Sequence, residues 1–208
     1  LIFITLLFVG GISYKIIGGA AAICIPAVIV VLYLIMQPDQ EIIKGYQLKR
    51  ILAWRYPQKY PDGAYQQQNS IMAIGSGKLW GKGLNNNNFD SVKNGNFISE
   101  PHTDFIFSVA GEELGFVGAA TIIILLTLIA LECVLIGRKA KDLAGRLICC
   151  GMAALIGFQS FVNISVTTGL LPNTGLTLPF VSYGLTSLVT LYIGIGIVLN
   201  VGLQPKKY

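Results

Sequence analysis

The sequence predicts an all-α polytopic membrane protein with about five transmembrane helices. Of its 208 residues, 53% are hydrophobic and only 12% are charged, and the mean hydropathy of +0.66 lies well above that of soluble domains. The charges are clustered, and the apolar runs between the clusters are long enough to cross a bilayer, which takes roughly 20 helical residues. The net charge of +5 is then explained by basic residues beside membrane spans rather than by nucleic-acid binding.

Two of the predicted spans lie in residues 1–36. The run from Leu1 to Tyr14 is short for a span, as expected if the chain is the C-terminal part of a longer protein. The second, from Ile17 to Met36, contains Pro26, a residue that membrane helices tolerate when neighbouring helices satisfy the freed carbonyl. Residues 105–208 hold the other three: Leu114 to Gly137, Leu147 to Thr168, and Pro179 to Leu203.

Charge asymmetry predicts the orientation of these spans. The short loop 138–146 carries four basic residues against one acid, and Lys206 and Lys207 end the chain, so both should be cytoplasmic by the positive-inside rule. Residues 37–104 then form a large extracytoplasmic loop. Within it, Glu41 to Trp54 and Ala64 to Gly77 have the spacing of interfacial helices, and Asn85 to Asn88 are interpreted as a flexible tip.

Glycine and proline recur near residues 169–187 at membrane depth, in "TGLLPNTGLTLPFVSYGLTS". A broken or re-entrant backbone of this kind persists in membranes only where it lines a cavity or packs against protein. The segment predicts either the border of a hydrated cavity or a simple loop before a late-starting helix. In the preceding span, Gln159 and Asn163 are four residues apart on one face, which predicts that they point inward and form interhelical hydrogen bonds.

The stretch "GSGKLWGKGL", Gly75 to Leu84, combines glycines with lysines as phosphate-binding loops do. It does not match a Walker A loop, because Gly81 lacks a glycine five positions earlier and Gly83 replaces the serine or threonine. Two interpretations remain: a loop that packs closely against helices, or a contact of its lysines with a lipid pyrophosphate.

The stretch "SEPHTDFIFSV" carries a polar cluster into an apolar segment. Thr103 or Asp104 could be the N-cap of a helix that starts at Phe105. Alternatively, Asp104 beside His102 offers a carboxylate at a membrane mouth, as a general base requires. Glu113 suits the N-terminal dipole of the following span, but an ionisable residue there is also a functional candidate.

Four blocks together resemble the signature blocks of the SEDS family (shape, elongation, division and sporulation), to which RodA and FtsW belong. They are "YQLKRILAW", "AYQQQNSIMAIGSGKLWGKGL", "EPHTDFIFSVAGEELGFVG" and "NTGLTLPFVSYGLTS". The resemblance runs from the outer loop to the C-terminus. It implies a roughly ten-helix membrane fold, of which this chain would be the C-terminal half; an N-terminal half would complete the cavity.

The resemblance also implies an activity: polymerisation of lipid II into the glycan strands of peptidoglycan, in cell shape or cell division, at the outer face of the bacterial cytoplasmic (inner) membrane. The implied partner is a class B penicillin-binding protein, a transpeptidase. Asp104 falls on the family's essential acidic position and would be the general base of an inverting displacement. The leaving pyrophosphate needs positive charge, from Arg50, Lys78 or Lys82, or from a divalent cation (Mg²⁺ or Mn²⁺) with unknown ligands.

The candidate substrate-binding residues are eight: Arg50, Lys78, Lys82, His102, Thr103, Glu113, Ser182 and Tyr183. The alternative function is a transporter (flippase) of lipid II or another lipid-linked precursor, because the same cavity and broken helix would serve to move a head group. Asp104 is predicted at the outer mouth rather than at the midplane, where coupling residues of transporters lie. This placement favours catalysis.

Overall fold

The computed structural model describes residues 1–35, 45–84 and 102–204. The start of the predicted outer loop, the asparagine tract 85–88 and the C-terminal lysines 206 and 207 lie outside these ranges. The described residues form seven helices: α1 (Ile2–Val9), α2 (Tyr14–Ile35), α3 (Gly45–Arg55), α4 (Pro61–Ser76), α5 (Ile106–Lys139), α6 (Leu143–Thr167) and α7 (Leu185–Leu203).

Three of the described helices, α5, α6 and α7, are long and apolar enough to cross a membrane. Most of their large apolar side chains face outward, as the lipid-facing sides of membrane helices do. α1 and α2 occupy the first two predicted spans, and α2 continues through Pro26. The all-α, multi-pass membrane fold predicted from composition is therefore confirmed.

The core between α5, α6 and α7 combines small side chains, two cysteines among them, with larger apolar ones. Cys133, Cys149, Ile156, Leu191 and Val198 are buried there together, and the four cysteines of the chain are free. Small residues let membrane helices approach closely and gain van der Waals contact. Packing, and not a disulfide, holds this bundle.

α5 contains a kink at Gly115, whose φ of 67° and ψ of −164° lie in a region essentially restricted to glycine. α5 begins at Ile106, before the kink, whereas the apolar run predicted that the span begins at Leu114. The glycine-rich loop pairs with the broken backbone: the amides of Phe116 and Val117 donate to the carbonyls of Lys78 (2.8 Å) and Leu79 (3.2 Å). This is the close packing of a loop on a helix that the glycines allow.

Residues 168–184, the α6–α7 connector, have no regular helix, and α7 begins at Leu185 rather than at Pro179. Unpaired carbonyls are costly at membrane depth, and here side chains of neighbouring helices supply the donors. From α3 and α4, Trp54 Nε1 donates to Gly169 O (2.8 Å) and Gln67 Nε2 donates to Leu171 O (2.7 Å). α3 and α4 therefore lie against the connector and determine its path.

Candidate active site

Asp104 lies in the turn of residues 102–105 that precedes α5. The N-cap residue of α5 is Phe105, and no side-chain hydrogen bond caps the helix there. The interpretation of Thr103 or Asp104 as the N-cap is therefore wrong, because the helix starts one residue later than expected.

The carboxylate of Asp104 and the guanidinium of Arg50 converge on Gly175 of the connector. A Cβ placed on this glycine would lie 3.5 Å from Asp104 Oδ2 and 3.7 Å from Arg50 Nη1. Arg50 Nη1 also donates to Asn173 O (3.2 Å), and the Asn173 side chain accepts from the Gly175 amide (3.0 Å). An acid and a cation thus flank a backbone position that carries no side chain.

Asn163 of α6 joins the turn that carries Asp104 to the connector. Its side chain is 1% exposed, and Nδ2 donates to Asp104 O (2.8 Å) and to Leu176 O (2.6 Å). Gln159, one helical turn earlier, donates to Thr177 O (2.9 Å). Both amides form hydrogen bonds to other segments, as predicted, but the acceptors lie on irregular backbone. The prediction that these bonds join two helices is therefore wrong.

Ser182 and Tyr183 tie the far end of the connector to the same turn. Ser182 Oγ donates to Thr103 O (2.6 Å) and accepts from the Leu178 amide (2.7 Å), while the Tyr183 amide donates to His102 O (2.9 Å). Ser182 is buried and its hydroxyl is engaged in both directions, so it supports the backbone of the turn.

The side chains of His102 and Tyr183 are exposed. They border an open cavity of about 290 Å³, together with Ile106 and Val181. This cavity gives the turn a surface that an external ligand can reach.

Lys78, Lys82 and Glu113 belong to a second group, at the kink of α5. Lys82 Nζ lies 2.7 Å from Glu112 Oε1, and Glu112 is only 2% exposed. The Glu113 carbonyl accepts from the Gly83 amide (3.1 Å). At 1.5 Å per residue, Glu112 lies roughly 10 Å along the helix from Phe105, so the structure groups Arg50 with Asp104 and the two lysines elsewhere.

Two residues of these groups were not among the candidate site residues predicted from the sequence. The sequence predicts that Asn163 points inward from its span, but no neighbouring residue indicates which carbonyls its amide contacts. Glu112 gave the signal of an acid at a span, and a buried charge needs a partner, but the partner is 30 positions away in the chain.

The described residues contain no group of three or more His, Cys, Asp or Glu side chains that could hold a metal ion. Mg²⁺ commonly takes one or two protein carboxylates together with substrate phosphates. The part of the chain that the structure describes therefore does not outline a metal site by itself.

The fold and the site define a multi-pass membrane protein in which an aspartate and an arginine converge on Gly175, at the end of α5 opposite the basic loop 138–146. The family model of FtsW, RodA and SpoVE, described as "Cell cycle protein", matches residues 1–207. The chain belongs to this family, and the resemblance drawn from the four sequence blocks is confirmed.

Curated relatives and a solved structure agree with this assignment. The chain is 37% identical over 207 residues to the "Probable peptidoglycan glycosyltransferase FtsW" of Geobacter sulfurreducens, covering 99% of this chain and 52% of the relative. It is 38% identical to the protein of the same name from Nitrosomonas europaea, covering 99% and 50%. The chain spans about half the length of the curated relatives that it matches.

Among solved structures, the chain matches one described as "Structural coordination of polymerization and crosslinking by a peptidoglycan synthase complex". The TM-score is 0.69 at 30% identity, and the match covers 95% of this chain and 52% of the other. The arrangement of helices is thus shared with a protein of a peptidoglycan synthase complex.

Proposed function

We propose that this chain forms the catalytic half of a peptidoglycan glycosyltransferase that polymerises lipid II, with Asp104 as general base. The observation that carries the proposal is the convergence of Asp104 and Arg50 on Gly175. Support also comes from relatives named as peptidoglycan glycosyltransferases that match almost the whole chain.

The chemistry requires one base and one stabilised leaving group. The 4-hydroxyl of the acceptor sugar attacks the anomeric carbon of the donor, and the bond from that carbon to the pyrophosphate oxygen breaks. The hydroxyl proton passes to Asp104, and the configuration at the anomeric carbon inverts, so no covalent intermediate forms. The half-buried position of Asp104 gives the acceptor sugar access to the carboxylate.

Arg50 is assigned to the leaving pyrophosphate. A guanidinium presents several donors in a fixed plane and binds phosphate oxygens in pairs, and its bond to Asn173 O holds it beside Gly175. Lys82 forms an ion pair with Glu112 and does not belong to the group at Gly175. Arg50 is therefore the stronger candidate for binding the pyrophosphate. A divalent cation, Mg²⁺ or Mn²⁺, would be held mainly by the pyrophosphate oxygens.

The proposal includes orientation and partner. By the positive-inside rule the basic loop 138–146 is expected in the cytoplasm, and Asp104 would then lie at the outer face of the bacterial cytoplasmic membrane. A class B penicillin-binding protein would cross-link the strands; the structural neighbour is described as a complex that coordinates polymerization and crosslinking. The remaining helices of the whole protein would complete the cavity.

The test uses the full-length protein with its transpeptidase partner, supplied with lipid II. Asp104→Asn should lower polymer formation by on the order of 100-fold or more, because a positioned base contributes about 10²–10⁴-fold. Arg50→Gln should also lower the rate, while Lys49→Gln, which removes an exposed charge from the neighbouring position of α3, is the matched control.

Equal polymer yield from Asp104→Asn and wild type would rule out the base. If wild-type protein forms no polymer but moves lipid II between the leaflets of vesicles, the transporter function replaces the glycosyltransferase.

A further inference from the structure

The glycine-rich loop carries a cluster of large apolar side chains on the protein surface. Trp80 is 79% exposed, Leu84 is 73% exposed and Leu79 is 61% exposed, and the exposed Lys78 precedes them. We call the segment Lys78–Leu84 the apolar tip. Contiguous exposed apolar surface of this kind indicates contact with another phase or partner.

The structure fixes the apolar tip against α5. Phe116 and Val117 donate their amides to the tip, as described above, and their own side chains are exposed. In the other direction, the Lys82 amide donates to Glu112 O (2.9 Å). The exposed apolar surface of the tip is therefore continuous with the outward-facing apolar surface of a membrane-spanning helix.

The length of α5 indicates how deep the apolar tip would lie in a bilayer. From Val117 to Arg138 the helix has no break, since its only residue with non-helical dihedrals is Gly115. At 1.5 Å per residue this stretch rises about 31 Å, close to the roughly 30 Å hydrocarbon core of a bilayer. Arg138 and Lys139 lie in the last turn of the helix, and basic residues are favourable at a membrane–water interface. Val117 is then expected at the opposite membrane–water interface.

We propose that the apolar tip is an interfacial anchor that inserts Trp80, Leu79 and Leu84 into the phospholipid bilayer at the end of α5 opposite the loop 138–146. Tryptophan favours this zone because its ring is apolar and its N–H still reaches polar partners. Lys78 is placed to extend its ammonium to lipid phosphates while its stem stays on apolar surface. The partner is a lipid surface, and the Lys82–Glu112 pair holds the anchor on the kink.

This inference does not depend on the glycosyltransferase activity. Its consequence is mechanical: an anchor paired with the backbone at residues 112–117 sets the depth at which α4 and the first part of α5 lie in the interface.

The experiment measures depth-dependent fluorescence quenching in the full-length protein reconstituted into phospholipid vesicles. In one variant, Trp80 is the only tryptophan, and all others are changed to phenylalanine. The matched control retains only Trp54, which is half-buried and donates to Gly169 O. Bromine is placed either high or low on the lipid acyl chains, and acrylamide is the aqueous quencher.

Trp80 should be quenched by brominated lipid, more strongly by high than by low bromine, and should be shielded from acrylamide. Trp54 should show much weaker quenching by either lipid. Quenching of Trp80 by acrylamide alone would place the tip in water and overturn the proposal. Shielding of Trp80 from both quenchers would also overturn it, since protein and not lipid would then cover the tip. Neither result bears on Asp104.

Discussion

Replacement of Asn163 tests whether the backbone carrying Asp104 must be held by α6. Asn163→Leu keeps a similar volume but removes the amide that donates to Asp104 O and Leu176 O. A net hydrogen bond contributes about 1 kcal/mol, and a buried acceptor left without a donor costs about 1–3 kcal/mol. The loss of two hydrogen bonds should therefore destabilise the packing of the turn on the connector by roughly 2 kcal/mol or more.

The expected result is a fall in kcat on the order of 100-fold, since a displacement of about 1 Å in a catalytic group has that effect. KM for lipid II should change little, because Asn163 is buried and Arg50 stays in place. Initial rates of lipid II polymerisation by the full-length protein with its partner give both constants. Recovery of a monodisperse complex shows that the variant is folded.

Gln159→Leu is the matched control. It removes one amide from the same face of α6, and that amide also contacts two acceptors, Thr177 O and Oγ1. Its amide donates to the connector and not to the turn that carries Asp104, so kcat should fall much less. Equal losses in the two variants, or a wild-type kcat for Asn163→Leu, would refute the positioning of Asp104 by Asn163.

Two further substitutions probe the space beside Gly175 and the kink of α5. Gly175→Ala adds a methyl group beside Asp104 Oδ2 and Arg50 Nη1 at a φ of +71°, a conformation that costs a non-glycine residue about 1–3 kcal/mol. We expect kcat/KM to fall while partner binding, measured by co-purification, persists. An unchanged kcat/KM would show that substrate does not use this space. Lys82→Met removes the cation paired with the buried Glu112. It should lower the thermal unfolding midpoint more than Glu112→Gln does, because breaking a buried ion pair by removing one partner costs up to about 3–5 kcal/mol. Equal midpoints for the two variants would contradict that asymmetry.

Local patterns were sufficient for the membrane class, since a transmembrane helix requires an uninterrupted run of apolar residues and this run is visible in the sequence. The boundaries were less predictable. α5 begins at Ile106 and α7 at Leu185, because a glycine kink and a connector held by side chains change where the helices start. The N-cap prediction failed for the same reason: the turn before α5 is shaped by contacts from α6 and the connector.

The all-α membrane fold, the family and the location of Asp104 beside a span follow from short-range composition and from motifs, so they could be predicted without coordinates. The contacts between distant groups could not. Arg50 contacts Asn173 across 123 positions of the chain, and Asn163 contacts Asp104 across 59. Such pairings arise because carbonyls left unpaired by an irregular connector must find donors on whichever helices pack against it. Hydrophobic periodicity records which face of a helix is buried, and the partner of that face is fixed by packing.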